Sequence, residues 1–247
     1  MEQVSSRMVP LTVKMLYPIA DEIVAVSHGV AQDLSNFMLV QRKPIHVIYN
    51  SGVTPEIFEL AKQEIDHPWF QEKNQAILVG AGRFVKQKDF PSLLKAFSKL
   101  RKNHSARLVL LGDGREQKVL EALVCSLGIE DDVWMPGFVS NPYAFLSRSD
   151  VFILSSAWEG LPTVLVEALA LKIPVVSTNC PSGPAEILLD GDYGQLVSIG
   201  DVEAMASAAA SVLAGNRRTP AESWLQQFTP EVAIHKYLAV AGILSSQ

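Results

Sequence analysis

AILVGAGRFVKQKDFPSLLKAFSKLRKNHSARLVLLGDG, residues 76–114, reads as a strand, a helix and a second strand in succession. Ala76–Gly80 is short, aliphatic and stopped by glycine, the pattern of a buried strand. From Pro91 to Leu100 the apolar residues Leu93, Leu94, Phe97 and Leu100 recur at helical spacing, with lysines between them. Arg107–Leu111 is the next aliphatic run, ended by Gly112-Asp113-Gly114. Strands that are apolar throughout are buried on both faces, so they belong to a parallel sheet covered by helices on both sides.

The alternation continues outward. A helix over 116–127 closes at Gly128; a strand around Val133–Met135, a short helix at 142–148 and the strand Val151–Leu154 follow. Then come a helix Thr163–Leu171, a strand Pro174–Ser177, a helix 183–189, a strand 194–197 and a helix 201–214 with Asp201 near its start. The fold class is α/β, a doubly wound parallel sheet. At the front, 21–27 and 45–49 read as two strands around a helix at 29–40, a unit too small to be a domain. The polar stretch 51–75, with Pro55 and Pro68, suits a linker, and 221–244 reads as two helices broken at Thr229-Pro230. The chain divides into an incomplete unit at 1–60, a linker at 61–74, the main domain at 75–215 and C-terminal helices at 216–247.

The 247 residues are 48% hydrophobic and 19% charged, enough apolar material for a real core and against disorder. A net charge of −5 argues against a general nucleic-acid partner and leaves room for a local basic pocket. Cys125 and Cys180 lie far apart without metal-ligand spacing, so both read as small reduced hydrophobes of a cytoplasmic protein. No apolar run reaches the ~20 residues needed to span a bilayer, and Met1-Glu2-Gln3 opens on no secretory signal.

Parallel α/β sheets bind ligands at the carboxyl ends of their strands. The first such loop, Gly80–Asp89, places Arg83 and Lys88 after Gly82, and two cations at one loop mouth suit a diphosphate. The plain alternative is a solvated basic loop neutralised by Asp89. The second loop, Ser155–Glu167, runs through Glu159-Gly160-Leu161-Pro162-Thr163 into a helix whose first amides can face an anion. Glu167 sits one turn inside that helix among apolar residues, where an unpaired carboxylate costs several kcal/mol; it needs a lysine, a water or a hydroxylated ligand. Its plain alternative is a stripe residue that faces solvent or pairs with Lys172. The tract Cys180–Glu186 is another strand-to-helix loop that faces the same cleft in this reading, and His28 borders a helix.

Together these loops resemble the retaining glycosyltransferases of family 4 (glycosyl transferases group 1). The resemblance rests on Gly82-Arg83 with Lys88, Leu111–Gly114, Pro136-Gly137-Phe138-Val139, the pair Glu159…Glu167 and Pro174-Val175-Val176. It implies a B-type fold of two Rossmann-like halves, of which this chain supplies the donor half at 75–215 and a remnant of the acceptor half at 1–60. It implies that Glu159, Arg83 and Lys88 are catalytic: the cations hold the donor diphosphate and Glu159 contacts the donor sugar. Gly82, Phe138, Val139, Gly160, Leu161, Pro162, Thr163 and Glu167 would line the donor, with Phe138-Val139 bordering the base and Glu167 on the ribose. The resemblance implies a nucleoside-diphosphate sugar as donor and a sugar or lipid-linked acceptor. No cofactor or metal is implied, and the location is cytoplasmic or peripheral at the inner membrane. The family usually has glycine where Lys172 stands, and the Gly-rich loop and histidine of its first half have no counterpart. That departure implies a missing N-terminal half or self-association. The rival readings are a non-catalytic nucleotide-sugar- or partner-binding module and another Rossmann-type nucleotide enzyme; the latter lacks a Gly-x-Gly-x-x-Gly fingerprint after the first strand.

Overall fold

The computed structural model describes residues 17–37, 44–72 and 74–243. The predicted helix at 29–40 runs partly outside them, as does the chain's start. A first unit comprises β1 (Ile23–Ala25), α1 (His28–Phe37) and β2 (Ile45–Val47), with the two strands parallel. The connecting stretch carries two short helices, α2 (Pro55–Leu60) and α3 (Pro68–Gln71), each opened by proline at its first turn. These helices lie against the main domain. Asn141 and Ser147 bond the carbonyls of Leu60 and Ala61, and His67 stacks on Trp134 with ring centres 3.8 Å apart.

The main domain runs β3 (Ala76–Ala81), α4 (Phe90–Leu100), β4 (Ala106–Leu111), α5 (Gln117–Leu127), β5 (Val133–Gly137), α6 (Pro142–Ser147) and β6 (Val151–Leu154). It continues with α7 (Thr163–Ala170), β7 (Val175–Thr178), α8 (Pro184–Ile187), β8 (Gln195–Val197) and α9 (Val202–Leu213). Six parallel strands are ordered β5-β4-β3-β6-β7-β8. Alternate residues serve opposite faces: Leu78 packs with Leu93, Phe97 and Met205 beneath α4, α5 and α9, whereas Ile77 and Val79 pack with Leu146, Leu165 and Leu169 beneath α6 and α7. The aliphatic runs read from sequence are the strands, within one or two residues at each end.

The chain ends in α10 (Glu222–Leu225) and α11 (Pro230–Val240), separated at Thr229-Pro230. Between them Phe228, 1% exposed, accepts the amides of Gly52 and Val53 on its carbonyl and packs on Tyr49, which ties the tail back to the first unit.

Lys172 adopts φ +61° just past α7. Its amide bonds the Leu169 carbonyl and that of Ile173 bonds Ala168, so the helix closes in a Schellman turn with a lysine in the left-handed position. The turn thus forms with lysine at the position where the resemblance implies glycine. Lys172→Gly should therefore gain about 0.5–1 kcal/mol, the relief of left-handed strain less the added unfolded-chain entropy. Urea denaturation measures this, and Lys172→Ala should show no such gain.

Candidate functional site

In an open parallel sheet the strand order reverses at one place, and a crevice opens there beyond the carboxyl ends of two strands whose loops diverge. Here that place lies between β3 and β6. The loop after β3 carries Gly82, Arg83 and Lys88, and the loop after β6 carries Ser155–Pro162. A cleft of about 480 Å³ lies between them, lined by both loops together with Phe138, Val139, Thr163 and Glu167.

Close backbone approach builds the near wall. Gly82 (φ +150°) donates its amide to the Leu111 carbonyl, and a Cβ on Gly112 would lie 2.1 Å from the Gly82 oxygen. The loops after β3 and β4 thus touch backbone to backbone, which only glycine permits here. Arg83 is exposed on this wall, and among the described residues no hydrogen bond or ion pair engages its guanidinium.

Lys88 behaves differently. Its ammonium lies 2.6 Å from Glu159 Oε1, with side-chain exposures of 16% and 8%, so the two form a largely buried ion pair across the cleft. Asp89, the alternative neutralising group, instead accepts the Ser92 hydroxyl at 2.7 Å. Lys88 is therefore neutralised by Glu159 and not by Asp89.

The far wall is the start of α7. Pro162 precedes the helix, and no side chain caps it. The amides of Thr163 and Val164 donate to no protein acceptor among the described residues, and both residues line the cleft. The helix dipole adds to the pull of these amides on an anion.

One turn further, burial pushes the Glu167 carboxyl up to about 7. No ion pair joins it to Lys172 among the described residues, so the pairing alternative is also absent. Burial, and after it the charges of Glu167 and Glu56, raise the Tyr143 hydroxyl above its ordinary value.

Eleven residues were singled out from sequence: Arg83, Lys88, Glu159, Gly82, Phe138, Val139, Gly160, Leu161, Pro162, Thr163 and Glu167. All but Gly160 line this one cleft. Gly160 is not among the lining residues, and a Cβ added there would lie 3.6 Å from Val26 of the first unit.

The Cys180–Glu186 tract does not line the cleft either. It backs the 159–162 loop through the bond from the Glu159 amide to the Pro181 carbonyl. It also turns Glu186 onto α1, where the carboxylate accepts the amides of His28 and Gly29, each at 2.8 Å. Cys180 is buried as expected, but Cys125 is exposed on α5. Sequence reasoning passed over Gln87, whose side-chain amide holds the Trp158 carbonyl at 2.9 Å, and the two serines that open the second loop.

Among the described residues no helix is long and apolar enough to cross a membrane, and no cluster of three metal-ligating side chains exists.

A doubly wound domain whose cations, open helix amides and carboxylate gather at its switch point defines the architecture of an α/β protein with a polar cleft beyond its strand ends. Residues 61–224 match the family model of glycosyl transferases group 1, and the chain belongs to that family. It is 34% identical over 224 residues to the lipopolysaccharide core biosynthesis glycosyltransferase LpsE of Rhizobium meliloti, covering 88% of this chain and 63% of that protein. It is 30% identical over 195 residues to the uncharacterized glycosyltransferase MJ1059 of Methanocaldococcus jannaschii, covering 76% of this chain and 47% of that one. Among solved structures, Anabaena Alr3699/HepE in complex with UDP and glucose superposes with a TM-score of 0.76 at 21% identity, over 99% of this chain and 68% of that one. The fold is thus a Rossmann-like half of the B-type glycosyltransferase architecture. The chain spans about half to two-thirds of the length of these curated relatives.

Proposed function

We propose that the cleft is the donor site of a retaining glycosyltransferase and takes a nucleoside-diphosphate sugar. One observation carries the reading. Unpaired Arg83, the Lys88–Glu159 pair, the open α7 amides and half-buried Glu167 converge on one cleft at the switch point. In this reading Arg83 and Lys88 take the diphosphate, and the Thr163 and Val164 amides add donors along the helix dipole. Glu159 receives the sugar hydroxyls and Glu167 the ribose hydroxyls, while Phe138 and Val139 border the base.

These donors already oppose the charge that develops on the leaving diphosphate, so the mechanism assigns no step to a cofactor or metal. The acceptor oxygen attacks the anomeric carbon on the face the diphosphate leaves. A new carbon–oxygen bond forms, the bond to phosphate oxygen breaks, and the acceptor proton passes to the departing phosphate oxygen. The acceptor, a sugar or a lipid-linked molecule, must be held with its oxygen against that face of the carbon. We assign that task to a second half facing the cleft, whether in a longer chain, a separate partner or a second copy.

Calorimetric titration with nucleoside diphosphates, their sugar conjugates and the parent nucleosides tests the assignment. A charge-assisted hydrogen bond contributes about 1.5–3 kcal/mol, so Arg83→Ala should weaken diphosphate-bearing ligands roughly ten- to a hundredfold. Nucleosides should bind the variant as they bind the parent. Equal losses for both ligand classes would place the diphosphate elsewhere.

A further inference from the structure

Two adjacent, fully buried serines sit under the ion pair, and each serves a different partner of it. Ser155, 2% exposed, donates its hydroxyl to the Lys88 carbonyl at 2.6 Å, fixing the backbone from which the lysine projects. Ser156, 0% exposed, donates to Glu159 Oε1 at 2.6 Å, the same oxygen that the Lys88 ammonium approaches at 2.6 Å. Ser156 is itself pinned from the neighbouring strand, because Thr178 Oγ1, also 0% exposed, donates to the Ser156 carbonyl at 2.6 Å. Both donors to Glu159 thus fall on one oxygen, and no hydrogen bond from the described residues reaches Oε2.

This arrangement poses a problem that the donor reading, on which the following rests, makes acute. A diphosphate in the cleft competes with Glu159 for the Lys88 ammonium, a compact charge with three donors on a flexible stem. As the lysine turns to phosphate, a carboxylate only 8% exposed loses its counter-charge, and a buried charge without a hydrogen-bonding partner is costly. Only the Ser156 hydroxyl stays in place to hold it, because its own position is set by Thr178 and not by the ligand.

We propose that Ser156 is a positioning residue for Glu159. It keeps Oε1 anchored when Lys88 is drawn to the diphosphate, so that Oε2 stays aimed at the donor sugar. The serine makes no contact with the donor. Its effect is therefore confined to the sugar, and the diphosphate does not sense it.

The test compares UDP, GDP and ADP with their glucose conjugates, titrated into the parent chain and into Ser156→Ala. For whichever nucleotide binds the parent, the variant should keep its diphosphate affinity within about twofold and lose roughly tenfold for the sugar conjugate. Thr178→Val, which frees the Ser156 carbonyl without touching Glu159, should shift the same ratio in the same direction by less. Thermal midpoints of both variants show whether the fold is retained. An equal loss for diphosphate and conjugate, or no loss for either, overturns the positioning role and leaves the donor site standing. Failure of the parent to bind any nucleoside diphosphate overturns the donor site and, with it, this proposal.

Discussion

Glu167→Gln is expected to stabilise the protein by about 3 kcal/mol at pH 8 and to flatten its stability between pH 5 and 7. Burial raises this carboxyl from an ordinary 4.5 to about 7. The folded state therefore holds a proton that the unfolded chain releases. The stability this contributes is fully present below the unfolded value and is lost as pH rises through the folded one. Glutamine has the same shape and carries no charge to desolvate, so the variant escapes the loss. Denaturant melts of parent and variant at half-unit pH steps isolate the effect from other groups. The same residue predicts a binding signature: if the ionised carboxylate accepts ribose hydroxyls, ribonucleotide affinity of the parent should fall about tenfold per unit below pH 7. A pH-independent difference in stability would mean that the carboxyl titrates at its ordinary value; the pH-dependent stability together with an affinity indifferent to pH would remove Glu167 from the ribose.

Gly112→Ala should be the most damaging single methyl group in the chain, at about 3–5 kcal/mol and a fall of roughly 10 °C in Tm. Two costs combine. The residue has φ +135°, which L side chains rarely adopt, and its Cβ would lie 2.1 Å from the Gly82 carbonyl oxygen. Backbone, unlike a side chain, cannot swing away, so the loops after β3 and β4 must part and carry Arg83 with them. Diphosphate binding should fall together with stability. Gly128→Ala provides the contrast: its φ is +63° with nothing within 4 Å of the added carbon, so it should cost only about 1–2 kcal/mol and leave binding intact. Equal effects at the two positions would mean that the loop contact does not shape the site.

The main domain was legible because each strand is a short aliphatic run bounded by glycine or proline, and each long helix repeats at its own period. The parallel class followed from those runs and the cleft from the loops at the strand ends, whereas the strand order is given by the structure alone. What escaped was non-local. Lys88 and Glu159 stand 71 positions apart, and nothing in either loop says that they pair. Glu186 reaches 158 positions back to the α1 amides, so the Cys180–Glu186 tract read as cleft lining when its carboxylate was committed elsewhere. Residues 51–74 read as a bare connection because Ile65, Trp69 and Phe70 follow neither strand nor helix period; they are recruited by Trp134 and Phe145 once the sheet exists.

The junction of β3 and β6 has a kinetic meaning as well as a geometric one. Leu78 registers with Val151, so the two strands meet only after the intervening chain has been gathered in. By contrast β3 with β4 and β6 with β7 join across a single helix each. Closing the longer loop carries the larger entropic cost, and contacts of high sequence separation slow folding. Each half of the sheet can therefore condense early, with the seam between them sealing late. The cleft straddles that seam and does not exist until it closes. A molecule bound there recognises only the sealed chain, so it should act as a brake on opening and give little help to collapse.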